Sequence, residues 1–138
     1  MAAVEGTIVS VSDFTIPRAD PTTGTASSVE YQVVGCYVDV TFPAGTYVQA
    51  DDATFAPGTA IAASRRNGRT PTILQAAFAG FGRENGTPVG AGACTNSGGT
   101  VTCAILKEDL ATERDAGAMS ATWSQGIRFY VSFKEAVY

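Results

Sequence analysis

Residues Tyr31 to Phe42 read YQVVGCYVDVTF, the longest run dense in β-branched and aromatic residues, and Pro43-Ala44-Gly45 ends it sharply. At a period of two, Val34, Cys36, Val38, Val40 and Phe42 fall on one face. Tyr31, Val33, Gly35, Tyr37, Asp39 and Thr41 fall on the other. One face is wholly apolar and the other is mixed. That pattern predicts a strand central to a sheet whose second face is only partly covered. Gly35 inside it marks a bulge or a close approach of another backbone.

The rest of the chain is material to pair with this strand or pack on it. The final segment, Gly126 to Ala136 (GIRFYVSFKEA), alternates in the same way. Ile127, Phe129, Val131 and Phe133 point one way, and Arg128, Tyr130, Ser132 and Lys134 the other, which predicts a half-buried strand. Val4 to Val11 is a short strand weakened by Gly6, suited to an edge. Gly45 to Ala50 and Pro71 to Phe81 are two further strands. Small residues in the second, Ala76, Ala77, Ala79 and Gly80, suggest close packing on the helix expected before it. In ACTNSGGTVTCAI, Gly98-Gly99 can make a two-residue hairpin loop. Ser97 then faces Thr100, Asn96 faces Val101, Thr95 faces Thr102 and Cys94 faces Cys103. The last pair is either a cross-strand disulfide or two small buried thiols; a cytoplasmic origin favours thiols until the protein leaves the cell. Cys36 is read as a core residue.

Helix is expected at one place. In Ala53 to Arg66, Pro57-Gly58 limits the regular part to Thr59–Arg66, with Asp51-Asp52 in front and Asn67-Gly68 as a stop. Lys107 to Met119, the most charged stretch, is either a short helix with Leu110 and Ala111 inward or a solvated connection ended by Gly117. Ser12 to Ser28 is a Pro-, Gly-, Ser- and Thr-rich loop, or an arm that orders on a neighbour. A chain of 138 residues with 15 Gly is then one domain, mainly β: an antiparallel sandwich or barrel of about six to eight strands with one short helix.

The function classes narrow by chemistry. The sequence contains no histidine, which removes the commonest general base and transition-metal ligand. No phosphate-binding glycine pattern is present: Gly80-Phe81-Gly82 lacks the remainder of that fingerprint. The two cysteines of the hairpin lack the further ligands of a zinc site, and Asp51-Asp52 fits capping better than Ca²⁺. No cofactor is expected. A net charge of −4 argues against nucleic acid as partner, and no apolar run of membrane-spanning length or signal peptide is read. A pair of carboxylates distant in sequence would not stand out, so a hydrolase is the weakest of three readings. Arg65, Arg66, Arg69 and Arg83 form the one basic cluster, suited either to an acidic partner surface or to a solvated helix end. Trp123 is an anchor of the core or of an interface.

The stretch Thr41 to Gly82, above all GTY, AIAASRRNGRTPTIL and the terminal GIRFYVSFKEA, resembles small virion proteins of tailed bacteriophages. These residues cover about two fifths of the chain. The resemblance implies a capsid decoration or cement protein, non-enzymatic, made in the host cytoplasm and carried on the capsid surface. Its implied partner is the major capsid protein, and trimers are the favoured self-association. Arg18, in the 12–28 segment, with Arg65, Arg66, Arg69, Arg83 and Trp123, are then the candidate partner contacts. The rival expectation is a receptor- or carbohydrate-binding module of a tail or adhesin, with Tyr31, Tyr37 and Tyr130 lining its site.

Overall fold

The computed structural model describes residues 4–15, 31–49, 52–65 and 70–136. In chain order the first elements are β1 (Val4–Glu5), β2 (Thr7–Thr15), β3 (Tyr31–Thr41), β4 (Thr46–Tyr47), β5 (Ala53–Phe55) and α1 (Gly58–Arg65). Then come β6 (Thr72–Gly80), β7 (Gly82–Glu84), β8 (Thr87–Ala91), β9 (Thr95–Ser97), β10 (Thr100–Cys103) and β11 (Ile105–Lys107). The last are β12 (Gly117–Ala118), β13 (Trp123–Gln125) and β14 (Ile127–Ala136). The protein is mainly β, with antiparallel sheets arranged like a sandwich and not closed into a barrel.

Strand β3 is central, as its pattern predicts. It lies between β2 and β14 in a sheet of order β2-β3-β14-β6, and pairs with β14 over ten residues without a break. Val34, Cys36, Val38, Val40 and Phe42 from this stretch, and Ile127, Phe129, Val131 and Phe133 from β14, are all fully buried. Two further sheets, β1-β5-β10-β9 and β11-β8-β7-β13, complete the core with the β12-β4 pair. Phe55 of β5 meets Phe129 of β14 at 4.6 Å between ring centroids, where two layers join.

Both β1 and β2 lie at sheet edges, as expected of this segment, and Gly6 between them is also a crossing point. A Cβ there would lie 2.5 Å from Val40 Cγ1 and 2.7 Å from Phe42, so only glycine lets the chain pass this close to the core. Its amide donates to Thr54 O at 2.7 Å, so β1 joins β5 in parallel while β2 continues beside β3. Strand β2 runs on to Thr15, so the segment expected as a loop from Ser12 begins as strand. An extra residue in β2 opposite the Tyr37–Gly35 step, where Asp13 has a φ of 57°, makes a bulge. The close approach at Gly35 comes from a side chain: the Tyr130 hydroxyl lies where a Cβ would stand.

Other expectations are corrected. Ala53–Phe55 is a strand, and α1 starts at Gly58 with no acidic residue in its first turn, so Asp52 does not cap it. Asp51 and the Asn67-Gly68 stop lie outside the described residues. Of the two readings of residues 107–119 the helix is absent, and the largely exposed connection is the one found. Asp109 accepts hydrogen bonds from the Ala111 and Thr112 amides and the Thr112 hydroxyl, which closes a turn instead. Leu110 sits in that turn with a φ of 55° and is exposed, not inward. The expected six to eight strands become fourteen segments among the described residues, because the chain changes sheets after only two or three residues at many places.

Candidate functional site

The outer face of the β2-β3-β14-β6 sheet follows from the alternation that builds the core. Every second residue of β3 and β14 must point away from it. Register then decides which meet: Tyr37 lies beside Tyr130, and Asp39 beside Arg128. The Arg128 guanidinium donates from Nε to Asp39 Oδ1 at 2.9 Å and from Nη2 to Oδ2 at 3.2 Å. Ser10 Oγ donates to Asp39 Oδ2 at 2.7 Å. Arg128 also lies 5.5 Å from the centre of the Tyr37 ring, and the two tyrosine rings meet edge to face at 5.4 Å. The hydrogen bond from Arg128 is the main reason the Asp39 carboxyl sits below its usual range, and Asp39 raises Arg128 in return. Val33 and Tyr130 are 45% and 38% exposed on this face. Both edge strands carry bulges, and Val9 and Leu74 stand exposed at them. Bulges of this kind blunt strand-to-strand pairing at the edges.

A second polar centre lies between the short strands. Glu84 of β7 is buried and is gripped by both Nε and Nη2 of Arg114, at 2.8 and 2.7 Å. The Ser120 amide donates to the same carboxylate at 2.9 Å. Burial works to raise the Glu84 carboxyl, but the bonds from Arg114 and Ser120 outweigh it and hold it below the ordinary value. Arg114 Nη1 donates to the carbonyls of Asp115 and Gly117, and Nη2 also donates to Ala118 O. Beside it, the Tyr47 hydroxyl donates to Glu113 Oε2 at 2.8 Å and accepts from the Ile105 amide at 3.0 Å. Burial above all pushes the Tyr47 phenol upward, so it stays protonated and can donate. A cleft of about 650 Å³ opens over this centre, with Lys107, Glu108 and Asp115 at its wall. Each guanidinium nitrogen of Arg114 is already engaged within the chain, so this cation ties down residues 113–120 and has no donor left for a ligand.

Among the described candidate contact residues, Arg83 and Trp123 lie on the paired strands β7 and β13, whereas Arg65 lies apart on α1. Arg65 turns inward: Nε and Nη2 both donate to the buried Glu135 carboxylate, and the guanidinium lies 5.2 Å from the Phe14 ring centre. Gln32 Nε2 donates to the same carboxylate at 2.9 Å. Arg83 is exposed on β7 and donates to Gly86 O at 3.2 Å in its own turn. Trp123 is half-buried; its ring packs against Phe42 at 6.1 Å and its indole N–H donates to Ser120 O, so it anchors the core. Arg18, Arg66 and Arg69 lie outside the described residues. Cys94 and Cys103 are free thiols at the open end of the β9–β10 hairpin, whose register is the one the sequence predicts.

Sequence reasoning missed Asp39, Arg128, Glu84, Arg114 and Glu135. Asp39 and Arg128 could have been paired once the two alternating strands were placed antiparallel. Glu84 and Arg114 are 30 residues apart on short elements, with no periodicity to join them. Among the described residues, no group of three or more His, Cys, Asp or Glu side chains could hold a metal ion. No described helix is long and apolar enough to cross a membrane.

Fold and surface define a small, mainly β protein whose buried carboxylates are engaged by its own arginines. No protein-family model, curated protein or solved structure matches the chain.

Proposed function

We propose that the protein is a non-enzymatic structural subunit that decorates a bacteriophage capsid, seated on the major capsid protein and self-associating as a trimer. The observation that carries this reading is the outer sheet face. It sets Val33 and Tyr130, exposed, beside Asp39 and Arg128, which are already paired with each other. Aromatic and aliphatic surface rimmed by satisfied charges suits burial against another protein, because little desolvated charge is left without a partner. The arginines at Glu84 and Glu135 support the same reading: they hold these carboxylates in fixed ion pairs rather than leaving them for acid–base work. The implied capsid partner comes from the sequence resemblance.

Light scattering on the purified protein, with and without capsid shells, tests this. A discrete trimer that binds shells at a fixed copy number, with binding weakened by Tyr130→Ala, is the expected result. A monomer that ignores the shells overturns the reading.

The Tyr37–Tyr130 pair favours one other reading, a carbohydrate- or receptor-binding module, since sugars stack on exposed aromatic rings next to paired charges. Retention on a glycan array, lost in Tyr130→Ala, would select it over capsid decoration.

A further inference from the structure

The β9–β10 hairpin brings together two of the three cysteines. Its register pairs Thr100 with Ser97, Val101 with Asn96 and Thr102 with Thr95. One step further sets Cys103 across from Cys94. Counting from the turn, this is a non-hydrogen-bonded position, where facing Cα atoms stand about 4.5 Å apart. That spacing lies inside the range a disulfide spans. The two thiols act on each other's acidity, and the Cys94 S–H donates to Gly92 O at 3.7 Å.

The pair is unequal. Cys103 is 1% exposed, in a strand held on its other side by β5, with Ala53 opposite. Cys94 is half-buried and packs on the rim of the core. The neighbouring Cys103 lowers the Cys94 thiol, against a smaller opposing effect of burial. Cys94 in turn, and then burial, pushes the Cys103 thiol up; the effect of Cys94 ends once its sulfur is bound to another, which frees Cys103 to attack. Cys36 is fully buried, and its thiol is pushed by burial up to about 11, so it is a poor competitor.

We propose that Cys94 and Cys103 are a redox pair that closes into an intramolecular disulfide on meeting a small-molecule disulfide, with Cys94 attacking and Cys103 resolving. The reagent is of the class of oxidised glutathione. The Cys94 thiol loses its proton to solvent, and its sulfur attacks one sulfur of the reagent. A Cys94–reagent bond forms, the reagent's own S–S bond breaks, and the departing thiolate takes up a proton. Cys103 then releases its proton to solvent and attacks Cys94 Sγ. The mixed disulfide breaks, and a second reagent thiol leaves after protonation. The protein loses two protons and two electrons, and the reagent gains both.

The bond would fasten β9, an edge strand, to β10. Strand β9 is where Asn96 Nδ2 reaches across to Ile73 O at 2.7 Å, so closing the pair also secures the contact between this sheet and β6. The inference does not depend on the capsid reading. On that reading, though, it would act after the host cell opens, when the medium turns oxidising.

The test incubates the full-length protein with glutathione at graded oxidised-to-reduced ratios, quenches with acid, then denatures and alkylates with N-ethylmaleimide. Intact mass should pass from three alkyl groups to one, with a loss of two hydrogens and the remaining alkyl group on Cys36. Cys103→Ser should trap a glutathione adduct on Cys94. Cys94→Ser alters only a half-buried position and should show neither adduct nor bridge. Three alkyl groups on the wild type at every ratio would overturn the proposal. So would a lasting glutathione adduct on wild-type Cys94, or a bridge in Cys94→Ser.

Discussion

Strand β14 runs ten residues in unbroken register beside β3, whereas β7, β8, β11 and β13 are five residues or fewer. The first region is held by a face of fully buried Val, Ile and Phe side chains. The second has too few consecutive residues for such a face. It contributes Val89, Ala91 and Ile105 to the core, and is gathered around Glu84, Arg114 and Ser120 instead. Long strands let periodic apolar residues add up, so the hydrophobic effect alone sets their register. Short strands need a directional clamp, and a bidentate arginine on a buried carboxylate is one. Four substitutions, two of them also combined, should separate the two kinds of cohesion.

The largest effect belongs to the apolar region. Phe129 is fully buried and touches Phe55 across the layers. Phe129→Ala should cost about 4 kcal/mol, read as a lower urea midpoint with an unchanged slope. A loss under about 1 kcal/mol would mean that the layers are not held through this contact.

Next comes the polar clamp. Arg114→Met leaves the Glu84 carboxylate buried with only the Ser120 amide as partner, and should cost about 3 kcal/mol. Adding Glu84→Gln to it removes the uncompensated charge and should recover part of that loss. If the double variant is as unstable as the two single losses summed, the pair is not a clamp.

Acid should find the same place. The Glu84 carboxyl is held below its ordinary value of 4.5, so in the folded chain it binds its proton at lower pH than in the unfolded chain. Its contribution is therefore complete above that ordinary value and is lost as pH falls through the lower folded-state value. Asp39 acts in the same direction from its ordinary 3.8, more weakly because its partner is exposed. The urea midpoint should be level above about pH 5 and fall below it. Glu84→Gln should flatten the fall; a fall of equal depth in that variant would assign it elsewhere.

The same contrast explains what was legible in the sequence. The central strand, its two faces, the terminal strand and the glycine hairpin could be read because each is a local pattern of period two or a turn dipeptide. The split at Gly6, the strand at Ala53–Phe55 and the turn at Asp109 could not. The first two depend on distant partners, Val40 and Phe42 for Gly6 and Cys103, Thr102 and Val101 for the strand; the turn is local, but its Asp109 signal lies inside a charged stretch that also fits a helix. The candidate surface was half legible. Alternation placed Tyr37 and Tyr130 outward. Their meeting, and that of Asp39 with Arg128, required the register between two strands about 90 residues apart.

The smallest effect should come from that surface. Arg128 is charged and bidentate like Arg114, but its side chain is 44% exposed, against 16% for Arg114. Exposure lets water replace the lost partner, so Arg128→Ala should cost less than about 1 kcal/mol and lose its effect in high salt. Two arginine–carboxylate forks of similar geometry would then differ several-fold in what they contribute to folding, because one is buried and the other is not. A loss for Arg128→Ala as large as for Arg114→Met would break the comparison, since it would mean the outer face is itself part of what holds the long strands in register. A small loss leaves that face free of any folding duty, and its tyrosines and paired charges available for contact with a partner.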